Sequence, residues 1–290
     1  LEALDMAYFN AERSGDGDAA ERLFAEAEAL AERLDSAMAW WNFTRMATTR
    51  GARVGHYPSR IANVQRAYQV GKAAKQADAG LRRAGEMFWV DFDHSQIADQ
   101  RAAMEAGWRL AFITPFGTGA SVAHLCVDLG MLDQAREIHD SMRPLLAHDL
   151  HHQTWLCVQS QMAHIAVGLG ELEDALILET VLAPFRDLIA NMWFTGVGSV
   201  ARYLGEVRLL DGDVAGAIDQ FEYACERNRT AGAVGWLARS SLDLAGALRI
   251  RSGDGDAQRA DRLIAEADDI ATRHQLPLVA HRAARMSSGA

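Results

Sequence analysis

One heptapeptide, Arg-Ser-Gly-Asp-Gly-Asp-Ala, occurs twice, at Arg13–Ala19 and at Arg251–Ala257. Each copy runs into a similar apolar-periodic stretch, AERLFAEAEALAERL after the first and QRADRLIAEADDIATRH after the second. A motif that recurs near both ends of a chain points to an array of like units. The same punctuation lies between: GH at Gly55, GMLDQA at Gly130, GELEDA at Gly170 and GDVAGA at Gly212. The glycines stand at 15, 55, 130, 170, 212 and 253, in steps of 40, 75, 40, 42 and 41, and the long step holds one degenerate turn, DFDHSQ, near His94. The chain therefore divides into about seven units of about 40 residues.

Each unit reads as two helices joined at the glycine. Glycine suits the left-handed residue that ends a helix, and an Asp or Glu beside it caps the next one. Ala135, Ala175 and Ala217 stand five residues past their glycines, where a small side chain lets paired helices approach closely. Ile138, Phe221 and Leu263 fall on the packing face at helical spacing. Composition agrees: 52 alanines against five prolines favour helix nearly everywhere.

The segment Ala201–Cys225, ARYLGEVRLLDGDVAGAIDQFEYAC, resembles a tetratricopeptide repeat (TPR), with Tyr203, Leu204, Gly205, Gly212, Ala217, Phe221 and Ala224 at that family's signature positions. The second and third units match poorly, since Arg60 replaces the small residue after Gly55 and no glycine marks the third turn. Units longer than the usual 34 residues are similar to the C-terminal helical arrays of large bacterial regulators: LuxR-type activators with an ATPase domain, the maltose-regulon activator, and cyclase-linked ATPases. The resemblance implies an all-α fold, a right-handed α-solenoid of about seven helix-turn-helix repeats with a C-terminal capping helix. The expected repeats are 1–35, 36–75, 76–109, 110–148, 149–189, 190–230 and 231–274, with the cap at 275–287, all in a single domain, 1–290.

If the TPR likeness holds, positions 6, 9, 10 and 13 residues before each turn glycine face the groove. That implies a polar stripe of Ser121, His124, Gln161, His164, Arg202, Tyr203, Glu206 and Asp243, joined by Asn42 and Arg45 of the second unit. Such a stripe suits a peptide backbone or a polyol, or is simply a solvated concave face. An aromatic stripe, Trp40, Trp41, Phe112, Phe116, Trp155, Phe194 and Trp236, reads as core or as the lining of a ligand channel.

A net charge of −10 argues against a nucleic-acid surface. No apolar run is long enough to span a membrane. The start, LEALDMAYFN, has no basic leader and reads as a cut inside a longer protein. Cys126, Cys157 and Cys225, far apart in apolar settings, read as reduced buried thiols of a cytoplasmic protein. No cofactor and no metal ligand set is expected. HDLHH, with His148, His151 and His152 near His139 and Cys157, straddles a turn and lacks a zinc pattern. Asp91/Asp93 and Asp16/Asp18 lack the remaining ligands of a calcium loop. GTGAS and GVGS lack the rest of a phosphate-binding loop, and no nucleophile motif occurs.

The expected function is a non-catalytic protein-interaction and ligand-sensing module of a bacterial signalling or transcriptional regulator. Its partners would be a protein or peptide, the attached ATPase, cyclase or DNA-binding domains, a small inducer, or a second copy of the chain. The competing expectations are a sensor for a sugar-like inducer and an α/α-toroid glycosidase. A toroid brings its first and last units together, whereas an open solenoid keeps them apart.

Overall fold

The computed structural model describes every residue except 113–117, 147–153, 193–194 and 289–290. The fold is all-α with one small β-hairpin. The helices are α1 (Glu2–Ser14), α2 (Gly17–Leu34), α3 (Ala37–Val54), α4 (Tyr57–Ala73), α5 (Ala79–His94), α6 (Ile97–Gly107), α7 (Ala120–Asp128), α8 (Leu132–Met142), α9 (Trp155–Leu169) and α10 (Leu172–Leu182). After the hairpin, β1 (Ile189–Met192) and β2 (Thr195–Ser199), come α11 (Val200–Leu210), α12 (Val214–Ala231), α13 (Val234–Arg251), α14 (Asp256–His274) and α15 (Pro277–Ser288). Among the described residues no helix is long and apolar enough to cross a membrane.

The turn chemistry follows the sequence at five of six glycines. Gly15, Gly55, Gly130, Gly170 and Gly212 have φ between 68° and 87°, the left-handed region that lets a helix stop and reverse. Asp16 and Asp213 cap the helices that follow by accepting backbone N–H bonds at 2.8 Å. The third turn falls at Ser95–Gln96, as DFDHSQ suggested. Ala135, Ala175 and Ala217 are fully buried between paired helices, as are Ile138 and Phe221. The α7–α8, α9–α10, α11–α12 and α13–α14 hairpins pack side by side, and α15 closes the row.

Two expectations need correction. The last turn is built on Ser252 (φ 54°) and Gly255 (φ 79°), not on Gly253. The register of α14 shifts with it, so Ile264 is buried and Leu263 only half-buried. Where the sixth unit is expected to open at 190 with a helix, Ile189–Met192 and Thr195–Ser199 instead pair as antiparallel strands, Ile189 with Ser199 and Met192 with Thr195. Thr195 and Val197 favour strand, and Gly196 and Gly198 disfavour helix. Side chains then hold the hairpin down. Trp236 Nε1 donates to the Gly196 carbonyl at 2.7 Å, and Tyr203 Oη to that of Val197 at 2.6 Å. Asn228 accepts from the Ser199 N–H at 3.0 Å.

Nor do the first units stay clear of the last. α1 lies on β1, α2 on α12, α3 on β2 and α13, and α5 on α15. Arg53 Nη1 donates to the Ala231 carbonyl at 3.0 Å, and His274 Nδ1 lies 3.2 Å from the Gly55 carbonyl. The C-terminal ends of α1, α3 and α5 thus abut the late hairpins. The first and last units therefore touch, which is the arrangement set out above for a closed ring and not for an open solenoid.

Candidate ligand cavity and its charge network

His124, His164 and Glu206 each stand six residues before a turn glycine, on α7, α9 and α11. Because these helices pack side by side, equal positions line up in space. The His124 and His164 rings stack with centroids 4.1 Å apart. His164 Nδ1 lies 3.0 Å from a Glu206 oxygen, and its Nε2 lies 3.2 Å from Asp128 Oδ1. The row continues through Arg202, which reaches Glu206 with Nη2 and Asp243 with Nε, both at 2.6 Å. Arg282 of α15 takes the other Asp243 oxygen at 2.6 Å. Beside this row, Asp93 of α5 joins Arg60 of α4 (2.5 Å) to Arg239 of α13 (3.0 Å).

The network borders a half-open cavity of about 730 Å³ between α7, α9, α11, α12, α13 and α15. Asp128, His164, Arg202, Glu206, Arg239 and Asp243 supply its polar wall; Arg282 and Arg285 of α15 face them. Val167, Leu210, Leu242, Leu278 and Met286 supply apolar wall. Such a lining, mainly apolar with a few convergent polar groups, is the ordinary form of a small-molecule site.

Charge is fixed here by pairing. Burial opposes charging His164, but Glu206 and Asp128 outweigh it and lift its pKa to about 9. Burial also pushes Asp243 up, and Arg202 with Arg282 outweighs that and holds its carboxyl below the usual range. Enclosure raises Asp128, yet the His164 hydrogen bond and charge bring it well below an ordinary carboxylate. His124 is the exception. It is 0% exposed, both ring nitrogens lack a hydrogen-bond partner among the described residues, and burial with the neighbouring His164 pushes its pKa well down.

Of the ten expected groove residues, His164, Arg202, Glu206 and Asp243 meet at this wall, and His124 is buried against His164 without lining it. Tyr203 spends its hydroxyl on the β-hairpin, and its ring lies 5.2 Å from the Arg202 guanidinium. Gln161 is buried with Nε2 on Cys157 Sγ at 3.2 Å, and Ser121 is buried on α7. Asn42 and Arg45 lie elsewhere on α3, with Arg45 3.7 Å from Asp5. Among the aromatics, Trp41, Trp155 and Trp236 are buried in packing, while Phe112 is 40% exposed. Phe116, Phe194 and the His148, His151 and His152 cluster lie outside the described residues. His139 turns instead to Asp174, at 3.4 Å. Asp91 is exposed and Asp93 buried, so they form no carboxylate pair.

Sequence reasoning missed Asp128, Arg239 and Arg282 as site residues. Asp128 had a signal, lying one turn beyond His124 on the same helix face. Arg60 and Asp93 explain the poorly matching units. Where other hairpins hold a buried alanine, the second holds a buried arginine, and the degenerate third turn supplies its carboxylate.

No family model matches this chain, and no curated protein matches it.

Proposed function

We propose that the chain is a non-catalytic ligand-sensing module, a TPR-like α-solenoid of about seven hairpins wound tightly enough that its first units rest on its last. Its setting would be a bacterial signalling or transcriptional regulator. The ligand would be a small polar molecule, sugar-like in its hydrogen bonding, held in the cavity beneath α15. The supporting observation is that His164 and Glu206, which share one repeated register position six before the turn glycine, line the same half-open cavity of about 730 Å³. That volume suits a small molecule better than a peptide. Occupancy would reach attached domains or a protein partner by favouring one arrangement of the hairpins over another.

The glycosidase alternative draws no support from the same wall. A glycosidase needs one carboxyl free to give a proton to the leaving group. Glu206 is tied to Arg202 and His164, and Asp243 to Arg202 and Arg282.

Thermal-shift and calorimetric titration with mono- and disaccharides and their phosphates tests the proposal. The comparison is Gly246→Leu. Gly246 lines the cavity, and the nearest atom to a Cβ there is Met286 Cε at 3.9 Å, so leucine extends into the open space. A ligand at one hundred times its Kd raises stability by about 2.7 kcal/mol, and the leucine variant should lose that gain. No stabilising compound, or equal stabilisation of both proteins, refutes the reading.

A further inference from the structure

We propose that His124, Asp128 and His164 bind a divalent first-row transition-metal ion of the zinc class, leaving one coordination position open to the cavity. This goes beyond the ligand reading and stands on side-chain geometry alone.

The three side chains are brought together by the fold. His124 and Asp128 lie one turn apart on α7, and His164 occupies the equivalent position to His124 on the neighbouring α9. One donor atom from each lies within 4.8 Å of the others. Asp128 Oδ1 is 3.2 Å from His164 Nε2, and Asp128 Oδ2 is 3.8 Å from His124 Nε2. Tetrahedral bonds of about 2.0–2.2 Å place neighbouring ligand atoms roughly 3.3–3.6 Å apart; the two distances run to different oxygens of Asp128, one on each ring, so the three donors stand near that spacing and draw together to close on one ion. The Asp128 side chain is 25% exposed, with room to close the remaining difference.

A second observation is the state of His124. A fully buried imidazole with neither nitrogen hydrogen-bonded among the described residues carries an uncompensated desolvation penalty. An ion at the ring edges, in the plane of the imidazole, would take the lone pair of Nε2 and relieve it.

A third is the support behind His164. Its other nitrogen, Nδ1, lies 3.0 Å from Glu206, which is itself fixed by Arg202 at 2.6 Å. A metal-bound histidine characteristically gives its second nitrogen to a carboxylate, which sets the tautomer and aims the ring. Coordination would replace the proton that His164 otherwise presents to Asp128. Two imidazoles and one carboxylate are the donors favoured by zinc, iron(II), cobalt and nickel rather than by calcium or magnesium. Asp128 and His164 line the cavity, so the fourth position faces it and would take water or a ligand oxygen.

The test uses the full 290-residue chain after dialysis against a chelator. Zn²⁺ is titrated by calorimetry, and Co²⁺ is followed by visible absorption. The expected result is one ion per chain, with the intense visible bands of four-coordinate cobalt. Asp128→Asn, which alters a partly exposed residue, should weaken Zn²⁺ binding by about 100-fold or more, and Glu206→Gln by about 10–100-fold through loss of ring positioning. His56→Gln, at the exposed start of α4 and away from the cavity, should leave it unchanged; circular dichroism checks that each variant folds. Gly246→Leu should keep the metal while losing any organic ligand, which separates failure of this site from failure of the ligand reading. Absence of saturable Zn²⁺ uptake, a weak six-coordinate cobalt spectrum, or equal affinity in wild type and Asp128→Asn would overturn the proposal.

Discussion

The same substitution, glycine to alanine, should have opposite effects in two helices of this protein. Gly205 sits inside α11 and Gly246 inside α13, both in helical conformation. Removing glycine from a helix interior gains about 1 kcal/mol in propensity and lost chain freedom. At 246 nothing opposes the gain, since an added Cβ meets only Met286 Cε, at 3.9 Å. At 205 the Cβ would lie 2.6 Å from Phe221 Cε1, 2.7 Å from Cδ1 and 3.1 Å from Cζ. Phe221 is itself 1% exposed and its ring, which borders the cavity, must shift from its packed position to admit the methyl. Overpacking of this kind costs about 1–3 kcal/mol. The expected outcomes are Gly246→Ala stabilised by about 0.5–1 kcal/mol and Gly205→Ala neutral to destabilised by about 2 kcal/mol. Thermal melts and urea titrations of both variants beside the parent protein read this directly. In a chain of this size a change of 1 kcal/mol moves Tm by about 2 °C. If Gly205→Ala proves as stable as Gly246→Ala, the close approach of α11 and α12 is wrong.

Two more outcomes follow from buried titratable groups. Burial pushes the Cys126, Cys157 and Cys225 thiols up to about 11, 12 and 11; a disulfide-exchange reagent at neutral pH should leave all three unreacted in the native protein and label all three in denaturant, whereas rapid native labelling of any one contradicts its placement. His94 sits between the Gln275 carbonyl, 3.0 Å from Nδ1, and Arg60 Nη1, 3.3 Å from Nε2, an arrangement made for a neutral ring. Burial lowers its pKa, and Arg60 and Arg239 add to that against Asp93. The folded state thus binds fewer protons than the unfolded one, so His94's contribution is full above the unfolded value of about 6.5 and is lost as pH falls below it. His94→Asn should flatten the fall in urea midpoint between about pH 7 and pH 5, and an unchanged slope would refute the assignment.

What the sequence disclosed was local. Gly15, Gly130 and Gly170 announce turns because a left-handed residue is needed where two helices join, and Asp16 and Asp213 announce caps for an equally local reason. Ala135, Ala175 and Ala217 reveal the close helix contacts. The shared position of His124, His164 and Glu206 was legible too, because register along a helix fixes direction. The β-hairpin was harder: four residues of strand character before a helix are outvoted by a helical period of 40. Ser252 took the left-handed position that Gly253 was expected to hold, a choice that turns on one residue of helix length. Long-range pairing was not legible at all. Arg239 and Asp93 are 146 residues apart, and nothing short of the path of the chain says that α5 and α13 meet. Arg60 looked like a defect in the repeat, yet its burial beside Asp93 makes it part of the joint.

The central claim is that inward faces of helices far apart in the chain, α4, α5 and α13, share one buried charge network, Arg60–Asp93–Arg239, beside the cavity. A double-mutant cycle on Asp93 and Arg239, using Asp93→Asn, Arg239→Met and the pair, measures this by urea denaturation. The account predicts a coupling energy of about 1–3 kcal/mol, with the double variant less damaged than the two single losses would sum to. Strict additivity would mean that α5 and α13 do not meet, and the network described above would not exist.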